Sequence, residues 1–216
     1  MFLGHYAVAM AAKGAAPRIS LARLILAAQL VDLIWPMLLL LGLEHVRIAP
    51  GNTAFTPLDF YDYPYTHSFL AALMWSLLAG AGMWTAYRRV RDAVVLGLVV
   101  FSHWLLDVLS HRPDLPLAPG SDIHIGLGLW NNVAATIVVE CLLFVVGAAL
   151  YLRSTKAKDG TGTAALYGML AFLAVIYVAN VFGPPPPNVD AIGWAGLLLW
   201  LFIPWAWWIE KHRSVV

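Results

Sequence analysis

Charge is scarce in this chain. Asp, Glu, Lys and Arg make up 12% of its 216 residues, against about 25% in an ordinary soluble domain. With 61% hydrophobic residues and a mean hydropathy of +0.76, a water-covered globule is excluded and an integral membrane protein is expected. Cysteine is nearly absent: Cys141, the only one, can form no internal disulfide, and its apolar surroundings read as those of a small buried residue. A formal net charge of +1 argues against a nucleic-acid partner. The opening MFLGHYAVAMAAKGAAPR places Lys13 after the apolar residues. That is the reverse of a cleaved signal peptide, so the segment is expected to stay in the mature protein. Internal repeats, low-complexity tails and a soluble domain are also missing.

What is there is apolar and comes in runs. A membrane-spanning helix needs about 20 such residues, and six segments meet or approach that length: Leu21–Leu43, Pro64–Tyr87, Ala93–Ser110, Leu127–Leu152, Thr163–Phe182 and Ala191–Ile209. Phe2–Ala12 is too short to cross and is expected to form a short re-entrant or interfacial helix, which a bundle tolerates when neighbours cover its backbone. The expected fold is therefore all-α: one transmembrane domain over residues 1–216, with about six transmembrane helices and the short N-terminal helix.

The connections assign sides. Lys13, Arg18, Arg23, Arg88, Arg89, Arg91, Arg153, Lys156, Lys158, Lys211 and Arg213 are eleven of the thirteen basic residues, and six spans put them all on one side. By the positive-inside rule both termini are then cytoplasmic. The opposite loops carry Glu44, Asp59, Asp62, Asp114, Asp122 and Asp190 with many prolines, among them the rigid GPPPP of Gly183–Pro187. Of the ten Trp, five (Trp194, Trp200, Trp205, Trp207 and Trp208) crowd the last span, as interfacial anchors and packing groups would.

No Lys or Arg lies in a span core, yet Asp32, His67, His103, Asp107 and Glu140 do, with His5 in the short N-terminal segment. Ionisable residues at such depth face the bundle interior with a partner. Without cationic side chains, the remaining neutralisers are a metal ion or a proton. His103, Asp107 and His111 recur every four residues in SHWLLDVLSH. The ends of that row are about 12 Å apart along the axis, too far to share one ion, so His103 and Asp107 form the pair and His111 belongs to the outer rim. Counted from the cytoplasmic ends at about 1.5 Å per residue, Asp32, His103 and Asp107 fall about 17, 15 and 21 Å deep. His67 enters from the opposite surface, so all four overlap in the outer half of the bilayer. His and carboxylate ligands suit zinc first and manganese second, and hydrolysis is the natural chemistry of such a centre.

Gly4-His5, an acidic residue in the first span, Thr66-His67-Ser68 before an apolar helix, and SHxLLD at Ser102–Asp107 resemble the YdjM-type family of inner-membrane metal-dependent hydrolases. The resemblance covers about residues 1–115, roughly half the chain, and rests on short motifs in the same order on successive spans. It implies a polar cluster of His5, Asp32, His67, His103 and Asp107 in a bacterial inner-membrane protein. One departure stands out: the family's Pro-Asp-x-Asp run is here LVDLIWP, with the single Asp32 and the proline after it. The expected function is a membrane-embedded hydrolase of a lipid or lipid-linked ester or phosphoester. His5, His67, His103 and Asp107 are the expected metal ligands, Asp32 a ligand or base, and Glu140 a general acid or base. Two other readings use the same residues. One is an ion- or proton-coupled transporter or channel, and the other is a scaffold whose polar cluster only specifies packing.

Overall fold

A computed structural model describes residues 1–216. Its helices are α1 (Phe2–Ala15), α2 (Leu21–Ala28), α3 (Leu30–Leu40), α4 (Pro64–His67), α5 (Phe69–Tyr87), α6 (Val90–Ser110), α7 (Val133–Ser154), α8 (Gly160–Phe182), α9 (Val189–Leu197) and α10 (Phe202–Lys211). Three two-stranded ribbons, all antiparallel, close the ends. β1 (His45–Ile48) pairs with β2 (Leu58–Asp62) and β3 (Leu115–Pro116) with β4 (His124–Ile125) at one end, called here the hairpin face. β5 (Thr155–Ala157) pairs with β6 (Arg213–Val215) at the other, the basic face.

Five elements are long and apolar enough to cross a membrane, and the bent pair α2–α3 makes a sixth. The expected all-α bundle is what the chain forms. Its outer surface is apolar, with Leu77, Leu98, Val138, Val145 and Val175 each at least 60% exposed, as a lipid-facing surface requires. Cys141 is on that surface rather than inside: an apolar run facing lipid and one facing the core look alike in sequence.

Four expected spans are interrupted. The run from Leu21 bends by 53° between α2 and α3, where Gln29 leaves helical geometry. Pro36 inside α3 donates no hydrogen bond to the carbonyl of Asp32. The run from Pro64 breaks at Ser68, which is extended and caps α5 by accepting from Ala71 N–H. The run from Leu127 becomes an α-helix only at Val133, where Asn132 caps Ala135 N–H. In the last span a 3-10 turn, Leu198–Leu201, separates α9 from α10, just ahead of Pro204 with its missing N–H.

α1 starts at mid-bundle and runs to the basic face, where Lys13 donates to Glu210 and to the Ile19 carbonyl. It lies along α7, and the two backbones touch at Gly147, where a Cβ would stand 2.6 Å from Ala7 Cα. α5 and α6 pack through Gly80 and Gly97, with Ser76 Oγ donating to the Gly97 carbonyl at 2.7 Å. Small residues that let backbones approach take the place of a hydrophobic driving force inside lipid. The main apolar core joins α1, α2, α6, α8 and α10, and a smaller one lies under the hairpin face.

Candidate metal centre

Discontinuity places the site. His5 arrives on the first turn of α1, Asp32 just past the bend, His67 at the end of α4, and His103 with Asp107 one turn apart on the unbroken α6. His103 Nε2 lies 3.1 Å from Asp107 Oδ2 and 3.5 Å from Asp32 Oδ1. His67 Nε2 is 3.3 Å from the same Asp32 oxygen and 3.8 Å from Asp107 Oδ2. His5 Nε2 is 3.2 Å from Asp107 Oδ1, and its ring stacks on His103 with centroids 3.6 Å apart. The Met1 nitrogen also reaches Asp107 Oδ1, at 2.6 Å.

The ligand atoms of His5, His103 and Asp107, and those of Asp32, His67 and His103, form two groups that could each hold a metal ion, with His103 common to both. Ligands about 2.0–2.1 Å from an ion at tetrahedral angles stand about 3.3 Å apart. Most of the separations here match that spacing. None of the ion pairs formed by Asp32 or Asp107 involves Lys or Arg.

The outer nitrogens of two histidines are committed, which sets their tautomers. His103 Nδ1 meets the Ala28 carbonyl at 2.7 Å. A carbonyl only accepts, so Nδ1 carries a proton, and Nε2 is the nitrogen left to ligate. His67 Nδ1 meets Thr66 Oγ1 at 2.7 Å, and Thr66 donates its hydroxyl proton to Glu44 Oε2, also at 2.7 Å. The threonine oxygen therefore accepts from His67 Nδ1–H, and Nε2 is again the free ligand atom. Glu44 is wholly buried and its other oxygen accepts the N–H groups of Tyr65 and Thr66, holding the short α4 that carries His67.

Two expected site residues stand apart in character. The Asp32 side chain is 28% exposed, whereas those of His5, His67, His103 and Asp107 are at most 7% exposed, so Asp32 faces the opening of the cluster. Glu140 belongs to the start of α1: its Oε2 accepts Leu3 N–H at 2.6 Å and its Oε1 has no partner. A crevice walled by Val31, Ala72, Val100 and Trp104 runs down to His67 and His103.

Above the cluster, at the hairpin face, lies a second polar group. Tyr63 donates to Asp114 at 2.9 Å, and His111 and Arg112 meet the same carboxylate at 2.9 and 3.3 Å. Asp59 takes Arg47 at 2.5 Å and Arg112 as well. Burial, followed by the Asp114 carboxylate, pushes the Tyr63 phenol well up from its ordinary value, so it stays a donor. Its ring lies 5.0 Å from that of His67. Tyr63, with Asp62, Asp114 and His124, walls a cavity of about 160 Å³ open at this face. His111 thus sits at the rim, away from the His103–Asp107 pair.

Sequence reasoning missed Glu44 and Gln29. Glu44 reads as an ordinary loop acid; its only signal is its place just before the first ribbon. Gln29 is a lone polar residue inside LARLILAAQLVDLIWP, and that isolation was a usable sign. Comparison of the chain with family models, with curated proteins and with solved structures finds no match. The functional reading therefore rests on the residues and their geometry.

Proposed function

We propose that this protein is a membrane-embedded, metal-dependent hydrolase that cleaves a lipid or lipid-linked ester or phosphoester. The observation that carries this reading is the meeting of three histidines and two carboxylates at mid-bundle, in two overlapping groups each spaced as ligands of a small cation, with no Lys or Arg side chain and only the Met1 ammonium to balance them. His5, His67, His103 and Asp107 would hold the ion, zinc before manganese. A bound divalent ion would lower the pKa of a coordinated water and polarise a carbonyl or phosphoryl oxygen. The chain's own residues do the rest. Asp32, the one carboxylate open to the outside of the cluster, accepts a proton from the attacking water. Glu140, with one uncommitted oxygen, is the group left to return a proton to the leaving oxygen. The Ala28 carbonyl and the Glu44–Thr66 pair hold two imidazoles in the ligating tautomer.

The same reading places the protein in a bacterial inner membrane with both termini cytoplasmic and the hairpin face outside, as the eleven basic residues of the basic face support. It agrees with the YdjM-type resemblance of the first half of the chain. The deciding experiment is metal analysis of the purified protein beside His103→Ala and Asp107→Ala. Stoichiometric zinc or manganese in the wild type and its loss in both variants is expected. Equal, near-zero metal in all three would sink the reading.

A further inference from the structure

The cavity at the hairpin face holds about 160 Å³, and nothing in the reaction proposed above fills it. At about 30 Å³ for each molecule of liquid water, that is room for about five non-hydrogen atoms. Its walls include Tyr61, Asp62, Tyr63, Asp114 and His124, and neither Lys nor Arg is among them.

Charge decides what fits. Asp59 and Asp114 are balanced by Arg47 and Arg112, two carboxylates against two guanidinium groups. Asp62 is the wall carboxylate left over: its Oδ2 meets His45 Nδ1 at 2.8 Å, and its Oδ1 meets no protein group. An anion is repelled from such a wall. A metal ion lacks its ligands there, because both groups spaced to hold one lie in the bundle and contain neither Asp62 nor Asp114. A singly charged organic ammonium group matches one uncompensated carboxylate between tyrosine rings, through Coulomb attraction and cation–π contact. Tyr61 already takes one cation in this way, with the Arg47 guanidinium 5.2 Å from its ring centre.

Position ties the cavity to the cluster. Tyr63 and Pro64 in its wall lead directly into α4, and His67 follows Pro64 by three residues, about 4.5 Å of rise. The Tyr63 and His67 rings are 5.0 Å apart. A P–O–C–C–N chain crosses a gap of that size in four bonds. We propose that this cavity is a headgroup subsite, receiving the ammonium group of an aminoalcohol phosphoester whose phosphoryl group lies at the cluster. The proposal rests on the metal-dependent hydrolase reading and narrows its substrate to a phospholipid with an ammonium-bearing headgroup.

The test uses the full-length chain in a non-ionic detergent, with metal content measured first and ionic strength held constant so that diffuse charge attraction cancels. Ethanolamine and choline are titrated beside uncharged ethylene glycol, and on zinc-loaded protein phosphoethanolamine beside glycerol phosphate. Each ammonium compound is expected to bind about tenfold tighter than its partner, the size of one interaction with a charged group. Asp62→Asn removes the charge, and Ala118→Leu fills the cavity with the carboxylate intact. Both should erase the preference while metal content and Tm stay close to wild type. Equal binding of ethanolamine and ethylene glycol, a preference that survives both substitutions, or calcium held more tightly than either amine would overturn the subsite and leave the metal reading standing. A wild type that takes up no metal overturns the hydrolase reading instead, and the free amines still decide the cavity.

Discussion

The two polar groups of this protein are built from the same residue types and balanced in opposite ways. At the hairpin face, Asp59 and Asp114 are each met by arginine, with His111 and Tyr63 completing the set. In the bundle, Asp32 and Asp107 are surrounded by His5, His67 and His103, with the Met1 ammonium on Asp107 and no Lys or Arg. Guanidinium is always charged and fills a carboxylate's lone pairs completely. Imidazole, with Nδ1 committed to Ala28 or Thr66, can offer a lone pair from Nε2, which guanidinium cannot. The rim network is thus closed by the protein itself. The cluster is an assembly of electron-pair donors that holds one fixed cation, the Met1 ammonium on Asp107.

Perturbations that separate the two should differ in kind. The largest effect belongs to the ligands: zinc at a hundred times its Kd should stabilise the wild type by about 2.7 kcal/mol. His103→Ala and Asp107→Ala should lose this response entirely, as followed by thermal melting with and without metal. Next is Thr66→Ala, which frees the His67 tautomer and should weaken metal binding about 10- to 100-fold; Thr66→Ser, which restores the hydroxyl, should recover it. In the rim, Asp59→Asn should cost about 1–3 kcal/mol in denaturant unfolding, having removed a charged acceptor from two arginines, while metal content stays at the wild-type value. A metal loss there would erase the distinction between the regions.

The smallest effect is alkaline. The Tyr63 phenol is held up in the folded state, so the unfolded chain loses its proton first. Its contribution is complete below the ordinary value of 10.0 and is lost as pH rises from there. Tyr63→Phe should flatten the fall in stability above pH 10 without altering metal binding.

The parts legible in the sequence were those with a high energetic cost. Asp32, His103 and Asp107 stand out because a charge at mid-span is expensive, and the structure brings them to one cluster with His5 and His67. The six apolar runs are equally plain. What could not be read is how the runs break. Depth counting assumes straight helices, whereas the bend at Gln29 and the separation of α4 from α5 at Ser68 bring Asp32 and His67 to the depth of His103. Glu44 escaped notice because a loop carboxylate ordinarily meets water, and only the fold turns it inward onto Thr66. Glu140 was visible as an in-span acid. Its hydrogen bond to Leu3 N–H, 137 residues away in sequence, was not.

That bond has a consequence for how the protein is made. α1 is too short to hold itself across a bilayer, and its resting place is the groove of α7, where Gly147 admits Ala7 and Glu140 receives Leu3. The segment carrying His5 precedes its docking surface by more than a hundred residues. Without that surface His5 stays apart from His103, and the ligand set is incomplete. The cluster is therefore assembled only once α7 is in place, so the meeting of its residues reports that the bundle around it is whole.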